Sequence, residues 1–91
     1  MTLLETISWA QDPIAECAGQ PVIPAANFDT LADNIIAFDE VKLTKQEILD
    51  IFSEQVKRFA ACGANHSEQH GVLRKNPKTG WKYIEDLVLE N

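Results

Sequence analysis

Cys62, His66 and His70 stand four residues apart in the run Cys62-Gly63-Ala64-Asn65-His66-Ser67-Glu68-Gln69-His70. On a continuous helix, a thiolate and two imidazoles at that spacing share one face and can converge on zinc, with Cys17 as a fourth ligand. Gly63 opposes this, because glycine there ends a helix before the two histidines are reached, and the spacing matches no established zinc signature. His66, Glu68 and His70 also have the types needed for general acid–base work, since imidazole titrates near neutrality. Such work needs a third group to orient the base and a cleft to hold substrate. The chain has no glycine-rich phosphate loop, no nucleophile elbow and no paired-carboxylate motif. The expectation is a non-enzymatic protein with no cofactor, and Cys62, His66 and His70 are the one set from which a metal site would be built. Cys17 and Cys62 lack the C-x-x-C spacing of a redox pair and read as reduced structural thiols.

Charge is the second source of chemistry. The net charge is −6, but residues 1–56 hold ten acids and two bases, residues 57–82 six bases and one acid, and residues 83–91 three acids. An acidic body carrying one basic segment does not coat nucleic acid with its whole surface. Asp29, Asp33, Asp39 and Glu40 form the candidate docking face, steering the protein toward a partner with a basic or nucleic-acid-binding surface. Arg74, Lys75, Lys78 and Lys82 bracket a turn and are the alternative, a nucleic-acid contact through phosphates. Trp9, Trp81 and Tyr83 lie near charged residues and are candidate aromatic anchors for either surface.

The string Arg74-Lys75-Asn76-Pro77-Lys78-Thr79-Gly80 resembles the arm tip of the HU and integration-host-factor family, Arg-Asn-Pro-x-Thr-Gly, whose proline inserts between DNA base steps. That resemblance implies a DNA contact at Pro77. It covers seven residues, Lys75 intervenes between the arginine and the asparagine, and neither the family's Gly-Phe-Gly segment nor its proline-rich return strand is present. Asn-Pro-x-x-Gly is also common turn chemistry.

These side chains must be held by a small fold. Ninety-one residues suffice for one domain, 1–91, and with 45% hydrophobic residues the chain can build a modest core. The apolar runs are too short to span a bilayer, and the start lacks a signal peptide's basic and apolar regions, so a soluble, cytoplasmic protein is expected. Thr2-Leu3-Leu4-Glu5 has capping-box spacing and opens a short helix. Asp12-Pro13 restarts the pattern as a second short helix ending at Gly19. Pro21 and Pro24 make 20–26 an extended connector, with recognition by an aromatic groove as a second reading. Asn27 or Asp29 caps a helix near 28–38. Thr44-Lys45-Gln46-Glu47 is another capping box, and Ile48, Phe52, Val56 and Phe59 give helix 44–62 its stripe. Residues 71–84 read as a two-stranded hairpin with a basic tip, or as a turn leading into a helix from about 80 to 90.

The expected class is therefore mainly α, a bundle of three to five helices, becoming α+β with a hairpin near 71–84. The expected core is Leu4, Ile7, Leu31, Ile35, Phe38, Ile48, Phe52, Val56 and Phe59. A homodimer would cover any helix stripe so short a chain leaves bare. By composition, small acidic chains of this kind include immunity proteins, antitoxins and phage or plasmid accessory inhibitors, some of which imitate the charge of DNA. The function read from the sequence is thus binding and inhibiting or regulating a macromolecular partner, with a helical DNA-binding regulator second and a metal protein or enzyme third.

Overall fold

The computed structural model describes residues 1–17, 20–58 and 72–90. Thr2 opens helix α1 (Leu3–Trp9) with the capping box its spacing predicts: the Thr2 hydroxyl accepts from the Glu5 amide at 3.1 Å, and the Glu5 carboxylate accepts from the Thr2 amide at 2.9 Å. Strands β1 (Asp12–Cys17) and β2 (Gln20–Pro24) follow, and a single 3-10 turn (Ala25–Asn27) leads into α2 (Phe28–Ile36). Helix α3 (Lys45–Arg58) starts behind Thr44, whose hydroxyl accepts from the Glu47 amide while Glu47 accepts from the Thr44 amide. Strand β3 (Val72–Arg74) and helix α4 (Lys82–Glu90) complete the described elements.

The helix-rich class with a small antiparallel sheet stands, with four helices among the described residues. Local details differ from expectation. Asp12–Cys17 is a strand, not a second helix. Pairing of Asp12, Glu16 and Cys17 with β2 overrides the local helix-start signal of Asp12-Pro13. Residues 20–24 are likewise a strand where a connector was expected, and the sheet order β1-β2-β3 places it in the middle. Its prolines stand where the ladders thin: Pro21 pairs only with Glu16 of β1, beside a register shift, and Pro24 pairs only with Val72 of β3.

The hairpin expected near 71–84 shrinks to one bridge between Asn76 and Gly80, because Val72–Arg74 pairs with β2 and the would-be return strand winds into α4. Asn27 stands at the N-cap position of α2, yet its amide donates to the Ala10 carbonyl at 2.8 Å and ties α2 to the end of α1 instead of capping.

One apolar cluster joins helices to sheet. Ile7, Leu31, Ile35, Ile48 and Phe52 are buried as expected, with Ile23, Leu73, Trp81, Ile84 and Val88 beside them. Leu4, Phe38 and Val56 are only half-buried at its margin, and Leu3 takes the inward position beside Ile7. Phe59 lies outside the described residues. Ile23 and Leu73 are paired across β2 and β3 and project together into this cluster. Phe28 and Phe52 meet between α2 and α3 with ring centroids 5.3 Å apart in a tilted geometry. No helix among the described residues is long and apolar enough to cross a membrane.

Ile84 and Val88, one turn apart on α4, are completely buried, so α4 closes the core. Truncating Ile84 removes packing that neighbouring side chains cannot refill. Ile84→Ala is expected to destabilise the fold by about 2–5 kcal/mol in equilibrium urea unfolding, against less than about 0.5 kcal/mol for Leu89→Ala on the exposed face of the same helix.

Candidate functional site

The acidic candidates divide into two kinds. Asp29 and Asp33 lie one turn apart on α2, and each carboxylate is 3.0 Å from the Lys45 ammonium. Lys45 is the first residue of α3, where a positive charge opposes the helix dipole, and the two aspartates compensate it. Their hydrogen bonds hold the Lys45 ammonium above the ordinary lysine range. Asp39 and Glu40 lie exposed in the turn between α2 and α3 and make no ion pair among the described residues. Two of the four expected docking carboxylates therefore have an internal task, and two face solvent uncommitted.

The aromatic candidates divide more sharply. Trp81 is 3% exposed, and its indole N–H donates to Gln11 Oε1 at 3.1 Å, so it is a core residue and not a surface anchor. Its place was missed because a tryptophan between lysines reads as exposed, whereas Gly80 turns the chain and sends the ring inward. Trp9 is 76% exposed at the end of α1. It separates two shallow grooves, one shared with Ser8, Gln11 and Pro21 and the other with Thr6, Asn27, Thr30 and Asn34. Thr30 and Asn34 flank Trp9 from α2, while Asp29 and Asp33, one residue earlier on each turn, lean toward α3. The groove residues of α2 were not singled out from the sequence. Their signal was the i, i+4 polar pair Thr30 and Asn34 bordering the buried stripe of Leu31 and Ile35.

The basic turn is a built structure. Asn76 Oδ1 accepts from the Lys78 amide at 2.8 Å and the Thr79 amide at 3.1 Å, and the Asn76 and Gly80 backbones bond each other in both directions. Gly80 takes φ 66°, the left-handed geometry that closes a three-residue loop. Lys82 belongs to α4: it pairs with Asp86 at 3.3 Å and Glu85 at 3.6 Å, which raises its pKa and removes it from the basic set. Arg74, Lys75 and Lys78 have no carboxylate partner among the described residues.

Tyr83 returns from α4 to strand β3, where its hydroxyl donates to the Arg74 carbonyl and its ring stacks near Trp81 at 6.4 Å. Burial pushes the phenol up to about 12, only partly offset by the nearby Arg74 charge.

Among the described residues no cluster of three or more His, Cys, Asp or Glu side chains is arranged to hold a metal. Cys62, His66 and His70 lie outside the described residues, as does Glu68, and the Cys17 side chain is likewise not described. Comparison with family models, curated proteins and solved structures finds no match to this chain.

Tyr83 is the chain's single tyrosine, so its titration can be followed directly. The phenolate absorbance is expected to rise with a midpoint of about 12, not 10, in the folded protein. Because the folded pKa is raised, the stabilisation by this phenol is complete below pH 10 and declines between about pH 10 and 12 as only the unfolded chain ionises. Tyr83→Phe should flatten that decline in urea unfolding measured across the same pH range.

Proposed function

We propose that this chain is a non-enzymatic protein that binds a macromolecular partner, most simply a protein with a basic or nucleic-acid-binding surface, and inhibits or regulates it. The observation that carries this reading is Trp9. A tryptophan this exposed, beside grooves walled by uncharged polar side chains, is the side chain that most often supplies a disproportionate share of interface energy. Ile36, the last residue of α2, is a second exposed apolar residue. The charge that follows it in the chain is negative. Asp39 and Glu40 remain open to a cationic partner, and Asp29 and Asp33 can exchange Lys45 for a partner's arginine at modest cost, because an exposed ion pair contributes little to stability.

Such a surface divides the work of binding. Trp9 would insert and exclude water, which lengthens the lifetime of the complex, while the carboxylates would accelerate encounter. The absence of any catalytic constellation in the sequence is consistent with action by occlusion.

The partner is expected to be captured from lysate of the source cell by immobilised protein and identified by mass spectrometry, then rebound in purified form. Trp9→Ala should weaken that complex by about tenfold or more. The double change Asp39→Lys with Glu40→Lys should mainly slow association and reduce its salt dependence. Affinity unchanged in both variants would exclude this face.

A further inference from the structure

The second surface with a definable ligand lies around the basic turn and is independent of the Trp9 face. Arg74, Lys75, Asn76, Pro77 and Tyr83 enclose an open groove of about 370 Å³, within the range of small-ligand sites. Its two ends differ in chemistry. Arg74 and Lys75, half-buried with no carboxylate partner among the described residues, make one wall cationic. Tyr83 and Pro77 make the other wall apolar and partly aromatic.

The walls are set before any ligand arrives. The Tyr83 hydroxyl is spent on the Arg74 carbonyl, and Asn76 holds the turn through two backbone amides. The nearest acids on α4, Glu85 and Asp86, are engaged by Lys82. Tyr83 stays neutral across the physiological range, so the groove gains no negative charge from it.

We propose that this groove binds one nucleotide unit of single-stranded nucleic acid, with the phosphate on Arg74 and Lys75 and the base against Tyr83 and Pro77. Exposed Lys78, at the tip, meets the next phosphate along the strand. A single strand fits better than a duplex, because an aromatic wall gains only from a base whose face is free, and duplex bases present only their edges. The overall charge of −6 confines the contact to this local patch and predicts a short footprint with a shallow salt dependence.

The test is fluorescence anisotropy of the full chain with a labelled mixed-sequence single strand of about ten nucleotides, its matched duplex, and a labelled mononucleotide, each at several salt concentrations. The single strand should bind more tightly than the other two, with a log–log salt slope of about −1.4, from two phosphates at roughly 0.7 each. Arg74→Gln with Lys75→Gln should weaken binding by about tenfold or more and bring the slope to about −0.7, with far-UV circular dichroism unchanged. Tyr83→Phe keeps the aromatic wall but releases the Arg74 carbonyl, so it should bind more weakly than the parent and more tightly than Tyr83→Leu. Tyr83→Leu should lose about fivefold or more. Lys57→Gln, on exposed α3, should have no effect. No binding at low salt, tighter binding to the duplex, equal affinity for the mononucleotide, or an equal loss in Lys57→Gln would each overturn the proposal.

Discussion

The hydrogen bond from the Trp81 indole to Gln11 joins positions 70 residues apart and fixes how the molecule closes. Burying a tryptophan removes a large apolar area from water, but its N–H must find an acceptor or the burial is heavily penalised. Gln11 supplies that acceptor just beyond α1 and is itself held by the Ser8 hydroxyl at 3.3 Å. With Trp81 inward, Ile84 and Val88 follow on the same side of α4 and meet the core, while the residues just before Trp81 are left to project. The basic turn is thus exposed as a consequence of the same event that completes the interior.

Electrostatics follow a similar logic. Lys45 and Lys82 are each gripped by two carboxylates, so both cations serve the fold. What remains after these pairings is more informative than the net charge. The uncommitted groups named as candidates are Asp39 and Glu40 between α2 and α3 and Arg74, Lys75 and Lys78 at the turn, so the two signs are segregated in the chain. A protein-docking acidic face and a phosphate-gripping turn can therefore coexist without neutralising each other.

Much of this was legible in the residues. Both capping boxes, Thr2 with Glu5 and Thr44 with Glu47, form as their spacing requires, because capping depends only on neighbours within four positions. The stripes of α2 and α3 were readable for the same reason. Pairing between strands was not: nothing near Val22 or Ile23 announces that residues 72–74 will lie beside them, and two prolines argue locally against a strand. Asp12-Pro13 carried a helix-start signal that the sheet overrode. At the candidate sites, residue types identified the charges, but not which of them the fold would consume. Trp81 was read as a surface anchor, and its partner Gln11 lies 70 residues away, beyond what local sequence reveals, whereas Glu85 and Asp86, the partners of Lys82, become legible once 82–90 is seen as a helix.

The prolines of β2 and its central position together bear on the order in which the chain can fold. β1 can meet β2 early, because the two are adjacent in sequence, but β3 must close a loop of about fifty residues to reach the other side, at a chain-entropy cost that no local contact offsets. During synthesis, Ile7, Ile23 and Phe52 must therefore wait without their cover until Trp81, Ile84 and Val88 have left the ribosome. The interior is completed by α4, the last of the described helices to be made, so a nascent chain stalled before residue 81 exposes an apolar face that invites chaperones or aggregation.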